Sequence, residues 1–303
     1  MEEGKRSAFF CGVIDGQEVE SSGKWIISKT DGNSPWITAT EYGFIADIPY
    51  TFKMVFYSNS RRIDCSGDFN FDDQKIGQLS SDKRDRVSPF IHEKKLRFKC
   101  FPNLSEKVTG IKDLPFMVTE TDNRYVEGNY WTAISDKNMG LAYFNKGNMG
   151  SVREDDGGFS IPLSYAMYYI WGTRMLKGKY LYDFALYPFS GDWKTVDLHR
   201  KAIAYNLPAV STSGIIGDGT LGNHLNIYGT DSENVLLSAF YVENKKVFAR
   251  MYESTGTKTK VPIFVNSKKI KLDESDLLGN FKGSVSNEVV FNPWEIKTFQ
   301  IQH

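Results

Sequence analysis

The sequence predicts an all-β chain: a large multi-stranded β-sandwich, one short helix and a smaller C-terminal β-sandwich. Three observations carry this. Ile63, Cys65, Gly67, Phe69 and Phe71 share one parity, and Arg62, Asp64, Ser66, Asp68 and Asn70 share the other. A period of two puts one set inside and the other in water. The run 180–187 is apolar on both parities, as expected where sheets stack and both strand faces are covered. Turn residues then divide the remaining β-rich runs, as at Asp31-Gly32-Asn33, Asp155-Asp156-Gly157-Gly158, Glu243-Asn244 and Asn292-Pro293.

Taken in order, strand signals fall at 7–13, 25–28, 51–57 and 62–71. Leu96, Phe98 and Cys100 then alternate with Arg97 and Lys99 and stop near Pro102, which has no N–H for a ladder. More strands follow at 131–135, 140–144 and 180–187. Asp155 to Gly158 reads as a hairpin turn rather than a catalytic acid pair, because adjacent side chains diverge. One helix follows Trp193. Thr195 can cap it, Asp197 lies near its positive end, and Val196, His199 and Ile203 recur at helical spacing before Pro208. His199 on that stripe reads as a packed or partly exposed residue, since no second ligand follows at metal spacing.

Residues 1–209 are therefore assigned to the large β-domain. The Ser/Thr/Gly/Asn-rich stretch 210–233 is a loop or linker, and 234–303 form the smaller sandwich with strands near 235–242, 247–252, 262–265 and 295–301. No fixed-period repeat is present.

At 303 residues the chain is long enough for a sizeable core. Its 37 basic and 37 acidic residues cancel, so no long-range field favours nucleic acid or an anionic membrane. Cys11, Cys65 and Cys100 are too few and too irregularly spaced for a disulfide framework, and Cys65 and Cys100 fit buried positions. The charged start has no apolar leader core and no run reaches membrane-span length. The expectation is a soluble chain with a cytoplasmic location favoured. Aromatics, 14% of the residues, serve either to fill a core or to stack on sugar rings.

Glycoside hydrolysis needs two facing carboxyl groups, and metal-assisted chemistry needs gathered His and Asp ligands. The four histidines, His92, His199, His224 and His303, form no local ligand motif. A nucleophile elbow, Walker loop and Rossmann fingerprint are all missing, and the glycines of 214–219 have neither the Lys nor the strand–helix setting of a phosphate loop. No catalytic or metal residue is assigned in this chain.

A set of motifs stands in order along the chain: Arg62-Ile63-Asp64, Leu96 to Pro102, Asp113-Leu114-Pro115-Phe116, Trp131 to Asp136 with Gly140 to Asn145, and Phe184 to Trp193. Asn234 to Phe240, Met251 to Gly256 and Pro293 to Thr298 complete it. In order and spacing the set resembles the C-terminal β-domain of the glycoside hydrolase family 38 α-mannosidases. Three places depart from the family pattern. Leu163-Ser164-Tyr165-Ala166 stands where a Leu-Leu-Arg-Ser is common, Phe189 replaces a His, and Tyr180 stands for another.

The resemblance implies a supersandwich of the galactose mutarotase-like type. It implies that the nucleophile, the acid and the zinc ligands belong to a preceding catalytic domain of a retaining, zinc-dependent enzyme, and that no cofactor belongs to this chain. The first reading is thus a β-module that scaffolds its N-terminal catalytic domain, shapes a mannose-containing carbohydrate site and exposes an apolar docking face in isolation. Trp131, Trp171 and Arg174, each near a turn, are its candidate carbohydrate or domain contacts; the alternative places both Trp residues in the core. The second reading is a stand-alone carbohydrate-binding or scaffolding sandwich. The third, a mutarotase- or lyase-like enzyme, requires a His and a carboxylate in one cleft. A homo-oligomer is possible in each.

Overall fold

The computed structural model describes residues 7–28, 34–78, 87–105, 107–166, 175–213, 228–265, 268–269, 272–285 and 288–301. Among them, the regular structure is strand apart from two single 3₁₀ turns and the helix Leu198–Asn206. The chain divides into two compact units, Met1–Lys112 with Glu120–Val196, and Asp113–Thr119 with Asp197–His303.

The first unit is built on a nine-stranded and a six-stranded antiparallel sheet. The wider one begins at the edge strand Ser22–Ser28 and continues through Trp36–Ile45, Ile48–Tyr57, Ile63–Gln74, Leu176–Ser190, Met139–Asn145 and Trp131–Ser135. The hairpin Thr109–Leu114 and Met117–Thr121 ends it. The narrower one runs Tyr125–Glu127, Gly150–Arg153, Phe159–Ser164, Leu96–Cys100, Ala8–Ile14 and Gln17–Glu20.

Parity decides which side chains meet. Cys65, Gly67, Phe69 and Phe71 are buried, as the alternation predicts, while Asn70 on the other parity is exposed. They join Tyr50, Phe52 and Phe184 from the wide sheet and Phe10, Phe98 and Phe159 from the narrow one in a single core. Phe10 sits at its centre, with the Phe69, Phe52 and Tyr50 rings edge-on at 4.9, 5.0 and 5.2 Å. Each such ring contributes roughly 1.5–3 kcal/mol by burial, with edge-on pairing adding about 0.5–1.5 kcal/mol. The largest fully buried side chains among the described residues are all aromatic.

The strand around 180–187 departs from expectation. Phe184 to Tyr187 are buried on both faces, but Tyr180 and Leu181 are exposed. Leu181 stands opposite Asp68 on the face turned away from the narrow sheet, while Tyr180, on the core parity, packs edge-on against Phe71 at 5.3 Å. All three cysteines are free and buried. Burial pushes Cys11 to about 11 and Cys100 to about 12, and Cys65 well above its usual value, so the thiols are inert.

The polar parity of Leu96–Cys100, on the face opposite the core residues Leu96, Phe98 and Cys100, is covered as well. Lys99 is 7% exposed and binds Glu154 and Asp156, both at 2.5 Å, while Arg97 reaches Glu154 at 2.9 Å. The predicted hairpin turn supplies these acids: Gly157 adopts φ +82° and Glu154 N donates to Gly158 O at 2.8 Å. Burial raises the pKa of Glu154, but the bonds from Lys99 and Arg97 outweigh it and leave it below the usual range.

In the second unit a five-stranded sheet is ordered Val235–Glu243, Lys246–Glu253, Ile296–Ile301, Leu272–Ser275 and Phe281–Val285. A smaller sheet joins Tyr228–Thr230, Thr259–Val265, Lys268–Lys269 and Glu288–Phe291. Tyr228–Thr230 lies in the stretch expected as loop and is instead paired with Thr259–Val265. Residues 214–227 of that stretch, including His224, lie outside the described residues. Met251, Val261, Phe291 and Phe299 centre the core.

The helix starts later than the sequence suggests. Thr195 does not cap it: its hydroxyl donates to Asp192 O at 2.8 Å, closing the preceding turn. Asp197 takes the N-cap position with φ +52°, and its carboxylate goes to Arg200 at 2.6 Å rather than to a backbone N–H.

Candidate functional site

Of the three residues singled out by sequence, Trp131 is 0% exposed and packs on Trp193 with ring centroids 5.9 Å apart. Its strand Trp131–Ser135 is buried along almost its whole length. In this chain Trp131 is a core residue with no surface to offer a sugar. Trp171 and Arg174 lie outside the described residues, so the three are not brought together.

The chemistry-bearing residues that do converge lie in a cleft of about 310 Å³ on the six-stranded sheet, lined by His92, Lys95, Glu127, Asn148, Ser164 and Tyr165 among others. Four separate segments supply them. His92 sits in the 3₁₀ turn His92–Lys94, just ahead of Leu96–Cys100, and Glu127 ends the strand Tyr125–Glu127. Asn148 precedes Gly150–Arg153. Ser164 and Tyr165 follow a register shift between Pro162 and Ser164, a bulge that re-aims the chain.

Surrounding bonds fix these groups. Glu93 accepts from Arg124 and from the Tyr125 hydroxyl, both at 2.8 Å, and the Tyr125 ring lies 4.8 Å from His92. Ser88 and Tyr165 share a hydroxyl–hydroxyl bond of 2.8 Å, and Lys95 Nζ stands 6.0 Å from the Tyr165 ring. Asn148 O accepts from the Tyr143 hydroxyl at 2.6 Å, and its side-chain amide donates to Pro162 O.

Burial and Lys95 push the His92 pKa down, against Glu93 and Glu127; its Nδ1 is buried and meets no partner among the described residues. Burial likewise lowers Lys95, opposed by Glu127. The cleft therefore presents a neutral imidazole, a desolvated amine, an amide, a phenol and an exposed carboxylate, a set that exchanges hydrogen bonds with hydroxyl groups. Glu127 is the one carboxylate among its described lining residues. It does not form the facing acid pair that glycoside hydrolysis uses, although His92 and Glu127 are the His and carboxylate that a mutarotase-like reading asks for.

In the second unit three of the sequence motifs meet on one carboxylate. Glu253, 0% exposed, accepts from the backbone N–H of Thr255 (2.7 Å), Gly256 (2.8 Å), Thr257 (3.1 Å) and Trp294 (3.1 Å), and from Asn234 Nδ2 at 3.0 Å. The turn it holds needs glycine: Gly256 has φ +72°, and a Cβ there would lie 2.7 Å from the Trp294 indole. Burial raises the Glu253 pKa, but bonds from the Thr255 hydroxyl and from the N–H groups of Trp294, Thr255 and Gly256 more than offset it and leave the group below its usual value. The Asn234, Met251–Gly256 and Pro293–Thr298 motifs are thus one structural knot.

The knot spans a recognisable domain. Residues 234–299 match the model of the glycosyl hydrolases family 38 C-terminal beta sandwich domain. Over this segment the chain is similar to that domain. The rest of the chain follows the same comparison at the level of fold. A family 38 glycosyl hydrolase structure from Enterococcus faecalis covers 97% of the chain with a TM-score of 0.76 at 12% identity. An α-mannosidase from Enterococcus faecalis V583 covers 97% with a TM-score of 0.74 at 11% identity. The chain spans only 40% and 38% of those two proteins. No curated protein matches the sequence.

The family 38 resemblance drawn from the motifs thus holds, and the all-β multi-sheet fold with it. Among the described residues no group of three His, Cys, Asp or Glu could hold a metal ion. No described helix is long and apolar enough to cross a membrane. The cleft residues His92, Lys95, Glu127 and Tyr165 carry no sequence motif that marks them as a site. One signal touches it: Leu163-Ser164-Tyr165-Ala166 is among the three departures from the resemblance.

Proposed function

We propose that this chain is the C-terminal β-module of a larger family 38-like α-mannosidase, scaffolding the catalytic domain and shaping one wall of its carbohydrate site through the His92–Tyr165 cleft. The match of residues 234–299 to the family 38 C-terminal sandwich carries the reading. In it, the catalytic acid, the nucleophile and the zinc belong to the N-terminal domain, which is the partner of this chain.

The apolar edge of the wide sheet supports it. All seven residues of Ser22–Ser28 are exposed, Ile27 to 70%, and Trp25, Trp36, Ile37 and Phe56 are exposed beside it. An uncovered apolar edge strand is a pairing and aggregation hazard in a free-standing protein, and is what a module shows when its neighbour is removed.

The test is turnover of a nitrophenyl α-mannoside. The purified chain is expected to be inactive with or without zinc, while a polypeptide extended through the catalytic domain hydrolyses the substrate and loses activity to a chelator. Hydrolysis by this chain alone, or its acceleration of α-mannose mutarotation, would contradict the proposal.

A further inference from the structure

The outer face of the nine-stranded sheet carries a second feature, beside the edge strand Ser22–Ser28. Strand pairing sets Tyr42 opposite Thr51 and Thr51 opposite Asp68, with Pro49 opposite Phe44 in the adjoining row. These residues have the parity opposite to Tyr50, Phe52 and Phe69, so they face away from the core. Tyr42 and Phe44 are 55% and 57% exposed. Two positions apart on one strand, their rings stand about 7 Å from each other on the same face. With Thr51, Asp68, Asn70 and Lys179 they line an open depression of about 1000 Å³.

The chemistry of that lining selects its occupant. A protein-docking face is continuous in its apolar core, whereas here two rings alternate with a hydroxyl, an amide and an ion pair. Asp68 and Lys179 pair at 2.7 Å, and Lys24, opposite Tyr42, adds a single further ammonium, so the lining is mainly hydrogen-bonding groups rather than a cationic cluster for an anion. Exposed aromatic faces beside hydroxyl, amide and carboxylate groups suit a ligand with flat C–H faces and many hydroxyls. The depression reaches the edge strand Ser22–Ser28, where Ser22, Gly23 and Lys24 line it, while Trp36 and Ile37 lie about 20 Å away at the other end of the strand Trp36–Ile45.

We infer that the Tyr42–Phe44 face is a binding platform for neutral oligosaccharides, with the rings stacking on pyranose faces and Thr51, Asp68 and Asn70 bonding the hydroxyls. Binding here would hold a glycan chain without cutting it. The inference stands apart from the module reading: its failure leaves that reading untouched, and it holds if this chain functions alone.

Calorimetric titration of the whole chain with mannotriose, cellotriose and maltotriose as separate probes tests it. At least one is expected to bind with a Kd of about 1 mM or tighter. Tyr42→Ala and Phe44→Ala should each weaken that binding by at least about tenfold, while Phe44→Trp retains it. Because both side chains are more than half exposed, the variants should keep the wild-type circular dichroism spectrum. Raising the salt should leave the affinity unchanged, as for a neutral ligand. No binding of any probe at about ten times that concentration, or binding that survives both alanine substitutions, would overturn the proposal.

Discussion

Replacing Glu253 with alanine is expected to cost the second unit on the order of 5 kcal/mol, enough to unfold it under native conditions. The carboxylate accepts from the backbone of Thr255, Gly256, Thr257 and Trp294 and from Asn234. Hydrogen bonds to a charged group contribute roughly 1.5–3 kcal/mol each, and alanine leaves several buried donors unpaired at once. Two of the affected residues already sit at positive φ, Gly256 at +72° and Trp294 at +60°, and the bonds to Glu253 hold the backbone there. Glu253→Gln should be milder, because its amide oxygen still accepts from some of the donors. Hydrogen exchange across residues 235–301 reads the result locally. Loss of protection there, with the first unit's strands unchanged, is expected; a loss of stability below about 1 kcal/mol would show that the knot is not what holds the sandwich.

The second large effect is on pH dependence. His199 is buried on the helix Leu198–Asn206, and its Nε2 is bonded to the Tyr252 hydroxyl at 3.0 Å. Burial lowers its pKa from 6.5 to about 4. The unfolded state therefore takes up a proton before the folded state does. The stability this neutral imidazole supports is complete above the unfolded pKa and is lost as pH falls from 6.5 toward 4. Between about pH 7 and pH 5 the loss is roughly 2 kcal/mol. Glu253, with a folded pKa below its usual value, adds a further loss only at more acid pH. Denaturant titrations of the second unit at those two pH values should show the drop, and His199→Asn should flatten it even though it lowers stability overall. An unchanged pH dependence in that variant would mean the drop comes from another group.

Both effects depend on residues that are legible in the sequence to different degrees. Alternation from Ile63 to Phe71 predicts the correct inward parity because one face of that strand meets a core and the other does not. Glu253, Asn234 and Trp294 stand in ordered motifs, and the structure supplies the reason for their order: one carboxylate ties all three. The exposure of Leu181 runs against its apolar neighbours because its parity, opposite Asp68, faces away from the narrow sheet, and nothing local encodes which outer positions are covered. Thr195 has the chemistry of a cap, but Asp192, three residues earlier, claims its hydroxyl first.

The cleft is hidden for a different reason. His92, Lys95, Glu127, Asn148 and Tyr165 come from separate segments that only the pairing order of the six-stranded sheet brings together. Trp131 suggests a surface role through its position beside a turn; the covering ring, Trp193, is more than sixty residues away in sequence. Pairwise register, rather than residue type, decides each of these cases.

The central claim is that the chain works as part of a larger enzyme, and the most direct test is the size of the native protein. An antibody raised against this chain, used on a blot of source-cell extract, should detect a polypeptide several hundred residues longer, in keeping with the 40% of a family 38 structure that the chain spans. A single band at the size of 303 residues would contradict the account and make glycan binding by the sandwich itself the function to pursue.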